Sequence, residues 1–131
     1  MLAVDRDAAA LATLAGAPGI ETLRADLEDG SPWPLAGRRF AGIVVTNYLH
    51  RPLFDVLAES LLPGGVLVYE TFMRGNERYG KPSNPAFLLA PGELWVAFGR
   101  RLEVRAFEQG FVASPKPSMI QRLVAFAGAR A

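Results

Sequence analysis

The sequence predicts a single α/β domain built on a mainly parallel β-sheet, with an antiparallel β-hairpin at its far edge. Three observations carry this. Short apolar runs alternate with stretches of helical periodicity, the pattern of successive βαβ units. The run Ile43-Val44-Val45 is β-branched and continuous, as expected for a strand covered on both faces. The last two strand-like segments, 102–106 and 119–126, are joined through Ser114-Pro115-Lys116-Pro117, where no crossover helix fits. They are therefore expected to be antiparallel neighbours.

Taken in order, Leu2-Ala3-Val4-Asp5 reads as a short buried strand that ends on an acidic residue and passes directly into a helix. Asp7 is placed to cap that helix over 8–15, and Gly16 and Pro18 stop it. Residues 20–24 form a second short strand, leading to the acidic turn Asp26-Leu27-Glu28-Asp29-Gly30. A Pro/Trp/Gly-rich loop over 31–39 feeds the strong strand at 41–46. After Asn47-Tyr48-Leu49-His50-Arg51 a helix begins, with Pro52 near its first turn and Leu53, Val56, Leu57 and Leu61 as its buried stripe. Pro63-Gly64-Gly65 ends that helix in a tight turn, and 66–72 follow as another buried strand. Residues 74–91 are rich in Gly, Pro and Asn and predict an ordered loop over one end of the sheet. A loop longer than about 15 residues in a small domain is more often functional than idle. Residues 91–98 read as a helix with Gly99 at its C-terminal end, and 102–106 as a half-exposed strand.

At 131 residues, with 50% hydrophobic and 21% charged residues, the chain is long enough for one domain, 1–131, with a single core. It has no apolar run of about 18 residues and no signal-peptide pattern, so no membrane partner is expected and the cytoplasm is the default location. With zero cysteines and one histidine, His50, no metal centre is expected. The net charge of +1 is unevenly spread. Residues 1–70 carry five basic and nine acidic side chains, and residues 71–131 carry nine and four. The basic half lacks a Lys/Arg cluster interleaved with aromatics, so no nucleic-acid partner is expected. Its charge reads either as a solvated surface or as a cationic mouth that attracts a small anionic substrate.

An acidic residue at the end of an early strand takes the ribose hydroxyls of the ligand in many nucleotide-binding α/β domains. It normally lies about 20 residues after a glycine-rich loop. No such loop is found in this sequence: Gly64-Gly65 belongs to a later strand, and Gly75 to Gly80 fall in a polar loop. The closing hairpin separates families that share the acidic strand end, since a doubly wound dehydrogenase domain would continue with parallel units.

The chain resembles the class I S-adenosylmethionine-dependent methyltransferases, whose Rossmann-like seven-stranded sheet carries one reversed strand in a terminal hairpin. Leu2-Ala3-Val4-Asp5 resembles the family's second strand, and Arg24-Ala25-Asp26-Leu27 the end of its third. Ile43-Val44-Val45-Thr46-Asn47-Tyr48-Leu49 resembles the fourth strand and the loop beside the methyl-transfer centre. Leu61-Leu62-Pro63-Gly64-Gly65-Val66-Leu67-Val68-Tyr69-Glu70 resembles the turn into the fifth. Within the family the chain is most similar to small-molecule methyltransferases, including the tellurite-resistance type. The resemblance implies S-adenosylmethionine as cofactor, with Asp5 at the ribose, Asp26 at the adenine amino group, and the adjoining Arg6 and Leu27 also cofactor-binding. It places Asn47, Tyr48 and His50 around the methyl-transfer centre, with Asn47 also toward the cofactor. It further implies an N-terminally truncated sheet, lacking the family's first strand and its glycine loop.

Each residue also has a plainer reading. Asp5 could serve a helix-capping turn, although Asp7 is better placed for that and leaves Asp5 freer. Asp26 sits where turns favour Asp. His50 is a base for the acceptor or a partly buried histidine hydrogen-bonded near a helix start, and Tyr48 an orienting or a packing residue. Arg51, Arg74 and Arg78 face an anionic acceptor or solvent. The leading expectation is methyl transfer to a small acceptor, impaired in residues 1–131 and restored with about 30 further residues upstream, one strand, loop and helix of ordinary size. The alternative is a non-catalytic remnant that self-associates through an exposed sheet centre. A nicotinamide-dependent oxidoreductase is a third reading.

Overall fold

The computed structural model describes residues 1–129, and the chain divides into two compact units, Met1–Gly37 and Arg38–Ala131. In the first unit, β1 (Leu2–Asp5) pairs in parallel with β2 (Glu21–Arg24), in a register that sets Asp5 opposite Arg24. Between them Asp7 caps α1 (Ala8–Ala12), its Oδ1 accepting the Ala9 and Ala10 N–H groups at 2.9 and 3.2 Å. The helix stops three residues short of the expected 15. Beyond Ala12 the Leu14 and Ala15 amides bond to carbonyls three residues back, and the Thr13 hydroxyl donates to the Ala10 carbonyl at 2.7 Å. Both tighten the last turn out of α geometry.

The second unit holds β3 (Phe40–Thr46), α2 (Phe54–Glu59), β4 (Leu61–Phe72), α3 (Glu93–Phe98), β5 (Glu103–Val112) and β6 (Ser118–Phe126). Its sheet has the order β3-β4-β6-β5. β3 and β4 run parallel, while β6 is antiparallel to both β4 and β5, so β6 is the one reversed strand of this sheet. The expected terminal hairpin is therefore present, with β5 at the edge and longer than the expected 102–106. Among the described residues no ladder joins the β1–β2 pair to the four-stranded sheet.

Two expectations about this sheet are corrected. Residues 61–65 do not form a helix end and turn; they belong to β4 itself. Phe40 pairs with Leu61 and Gly42 with Val66, so Leu62-Pro63-Gly64-Gly65 bulges out of the ladder. The bulge is tied to the chain beyond β6 by Gly64 N–H to Gly128 O (3.0 Å) and Ala127 N–H to Gly65 O (2.8 Å). A Cβ on Gly65 would lie 2.8 Å from the Leu62 carbonyl oxygen and 3.1 Å from that of Phe40, which only glycine allows. Nor is β3 covered on both faces: Val44 is 70% exposed, with Ile43 and Val45 half-buried. A β-branched run reports strand propensity and leaves coverage undetermined.

The core of this unit lies where α2 and α3 meet the sheet. Leu67, Tyr69, Leu94, Phe98, Leu123 and Ala125 are almost wholly buried, and the rings of Phe54, Tyr69 and Phe98 pack with centroids 5.1–6.0 Å apart. The 74–91 loop is ordered, as expected, by a buried side chain. Asn76 donates to the Pro82 carbonyl and accepts the Met119 N–H, both at 3.0 Å. Its far end returns along β4 through a Met73–Leu89 bridge. Among the described residues no helix is long and apolar enough to cross a membrane.

Candidate functional site

The sequence-derived candidates fall into two groups, one in each unit. In the first unit Asp5 stands at the carboxyl end of β1 with its side chain exposed. It is not as free as the sequence suggested, because its Oδ1 accepts the Asp7 N–H at 3.0 Å while Asp7 caps α1. Asp26 is engaged in the same way by the Glu28 N–H at 2.9 Å. In both cases a carboxylate with about four acceptor positions has given up one, which leaves the rest for hydroxyl or amino groups of a ligand. Arg6 and Asp26 line one cleft of about 530 Å³, together with Arg24, Asp29, Ser31 and Pro32. Arg24 Nε donates to the Arg6 carbonyl at 3.3 Å, joining two of the lining residues. The Ser31 hydroxyl and amide hold the Asp29 carboxyl below its usual value, so it stays charged at neutral pH. Leu27 is half-buried beside Asp26.

In the second unit Asn47, Tyr48 and His50 follow the carboxyl end of β3, the end at which ligands of open parallel sheets bind. Asn47 is exposed and left-handed at φ 53°, a conformation that Asn tolerates better than most residues. Its amide continues the ladder to the Glu70 carbonyl at 2.9 Å. The Tyr48 carbonyl accepts the hydroxyl of Tyr69 at 2.8 Å from inside the core. Burial raises the Tyr69 hydroxyl well above its ordinary value, so it remains a neutral donor. His50 is half-buried and extended, at the start of the short turn Arg51–Leu53.

Arg51 is engaged within the protein. Its guanidinium grips Glu93 bidentately, Nε to Oε2 at 2.5 Å and Nη2 to Oε1 at 3.0 Å. It also donates to the carbonyls of Ala86 (3.2 Å) and Leu88 (3.0 Å). The paired carboxylate raises Arg51 further above its already high value. Burial pushes the Glu93 carboxyl up, but Arg51, the Ala90 N–H and the charge of Arg74 outweigh it, and the net shift is downward. The pair is ionised across the neutral range.

Three side chains that hold this arrangement have no assigned role in the sequence analysis: Glu93, Gln121 and Tyr69. Gln121, fully buried in β6, accepts the Leu94 N–H at 3.1 Å and donates to the Ala90 carbonyl at 2.6 Å. Gln109 of β5 accepts the Gly92 N–H at 2.8 Å. The first amides of α3, which have no helical partners, are thus capped by the hairpin. A glutamine at the centre of an apolar strand run, Met119–Phe126 in the sequence reading, was the one available signal.

No protein-family model matches the chain, and no curated protein matches it in sequence. Solved structures do match in fold. The N-methyltransferase NodS from Bradyrhizobium japonicum WM9 is 16% identical, with a TM-score of 0.71 over 97% of this chain and 72% of its own. TehB from Haemophilus influenzae is 14% identical, with a TM-score of 0.75 over 96% of this chain and 49% of its own. An S-adenosylmethionine-dependent methyltransferase from Mesorhizobium loti is 18% identical, with a TM-score of 0.69 over 95% and 79%. The chain therefore spans about half of TehB and just under three quarters of NodS. At these identities the likeness is one of fold: the chain has the Rossmann-like α/β fold of the S-adenosylmethionine-dependent methyltransferases.

Proposed function

We propose that the protein transfers a methyl group from S-adenosylmethionine to a small acceptor, and that residues 1–131 by themselves hold the cofactor weakly. The carrying observation is the strand order β3-β4-β6-β5 with β6 alone reversed, in a chain that matches solved methyltransferases over nearly its whole length. NodS has also been solved with S-adenosyl-L-homocysteine bound. When bound, S-adenosylmethionine supplies an electrophilic methyl on a sulfonium. The carboxylates of Asp5 and Asp26 suit the hydroxyl and amino groups of a nucleoside, and Arg6 borders the cleft that Asp26 lines. On the other unit, Asn47, Tyr48 and His50 orient the acceptor, with His50 taking its proton where one must leave. With Arg51 committed to Glu93, an anionic acceptor would meet Arg74 and Arg78, both exposed. The weak holding proposed for residues 1–131 rests on the absence among them of a glycine-rich loop, whose backbone amides serve as the usual ligand cradle.

Titration with S-adenosylhomocysteine, followed by ¹H–¹⁵N NMR, tests both parts. The expected result is saturable shifts at Asp5, Arg6, Asp26, Leu27 and Asn47, with a dissociation constant on the order of 0.1–1 mM. No shift up to several millimolar, or a stronger response to NADH, overturns the methyltransferase reading. Submicromolar binding overturns the weakened site.

A further inference from the structure

We propose that Arg51 is a positioning residue: through Glu93 and α3 it holds the segment Asn47–Leu53, and so the His50 imidazole, in one orientation. The role assigned to that segment rests on the function proposed above. The chain on either side of His50 is anchored at several points. Asn47 N–H bonds to Glu70, the Tyr48 carbonyl is held by Tyr69, and beyond His50 the whole Arg51 side chain is engaged. The last anchor differs in kind from the first two, which fix the chain to the neighbouring strand. Arg51 spends four donor contacts on partners 35 to 42 residues away.

Those partners are themselves fixed. Glu93 Oε1 also accepts the Ala90 N–H at 2.8 Å, and Gln121 and Gln109 hold the start of α3 from the hairpin. The carbonyls of Ala86 and Leu88 belong to the end of the 74–91 loop, where the Leu89 N–H returns to the Phe72 carbonyl at 3.0 Å. A planar fork matched to a carboxylate in two bonds sets direction as well as distance, which a lysine ammonium does not. Arg51 thus joins the segment after β3, the end of the long loop and α3 at the carboxyl end of the parallel strands.

His50 is the sole histidine of the chain, so its imidazole resonances overlap with those of no other side chain of its kind. Arg51→Lys keeps the charge and the stem and removes the fork. In the ligand-free chain, R51K is expected to broaden or split the His50 Cε1 proton resonance. Amide exchange over residues 47–53 should quicken roughly tenfold, while exchange in β5 and β6 stays as it was. Glu93→Gln, tested in parallel, should do the same and guards against misfolding of either variant. A purely structural pair lowers the melting temperature and leaves the resonance single. That outcome, with exchange over 47–53 within twofold of the parent chain, overturns the proposal. Because no cofactor enters this experiment, its failure is distinct from a failure to bind S-adenosylhomocysteine.

Discussion

Replacing Gln121 by leucine tests the network that seats α3 on the hairpin. The side chain is 0% exposed and makes two hydrogen bonds, to Leu94 N–H at 3.1 Å and Ala90 O at 2.6 Å. Leucine nearly conserves the volume, so cavity formation contributes little. The Ala90 carbonyl still accepts the Glu93 N–H at 3.0 Å, and its loss is one bond of about 1 kcal/mol. The Leu94 N–H is worse off. It sits in the first turn of α3, where amides have no intrahelical partner, and a buried donor left without one costs about 1–3 kcal/mol. The apolar leucine returns roughly 1 kcal/mol of burial. The expected net loss is about 2 kcal/mol, or about 6–10 °C in melting temperature for a chain of this length. Urea unfolding followed by far-UV circular dichroism measures it, with the slope unchanged if the folded state keeps its extent. Gln121→Glu sharpens the test. The carboxylate still accepts from Leu94 but cannot donate to Ala90, and burial raises its folded-state value above the unfolded one. Its stability is then greatest below the unfolded carboxylate range and falls as pH rises through the folded value. A leucine variant within about 0.5 kcal/mol of the parent refutes the capping role, as does a glutamate variant indifferent to pH.

The bulge in β4 predicts an order between two glycines. Gly65→Ala sets a methyl 2.8 to 3.2 Å from three backbone oxygens and should cost about 1–3 kcal/mol or more, since no flexible side chain can yield. Gly64→Ala meets open space but a φ of 76°, at about 1 kcal/mol, so urea midpoints ranking it the more damaging would contradict the bulge. Tyr69→Phe removes the hydroxyl that holds the Tyr48 carbonyl, an expected loss of about 0.5–1.5 kcal/mol by chemical denaturation. Because burial raises this hydroxyl above its ordinary value of 10.0, the neutral form contributes stability below that value and loses it as pH rises further. An alkaline absorbance titration should therefore show one of the three tyrosines ionising late and with unfolding, a step absent in Y69F.

What was legible in the sequence was whatever is written locally. The Asp7 cap and the alternations that mark the hairpin strands each depend on residues within a turn or an alternation of one another, whereas the order of the 74–91 loop also rests on Asn76 reaching Met119, 43 residues on. The Pro63-Gly64-Gly65 stretch was misread because a turn and a strand bulge ask for the same residues; only the pairing of Phe40 with Leu61 separates them. Val44 was misread because propensity and coverage leave the same apolar signature. Local spacing makes Asp7 the better cap and leaves Asp5 freer, whereas one Asx turn feeds the other, Asp5 accepting from the amide of the residue that caps the helix.

Arg51 shows most clearly why the site was harder to read than the fold. Next to His50 it reads as a cation facing an anionic acceptor or solvent, and what pairs with it is Glu93, 42 residues on. No periodicity reaches that far. The connection exists because β6 reverses. That reversal lays Gln121 under the start of α3, Gln121 and Gln109 hold its first amides, and Glu93 in the first turn of the same helix receives the guanidinium. The hairpin that distinguishes this sheet from a doubly wound one is thus also the support on which the segment after β3 is held.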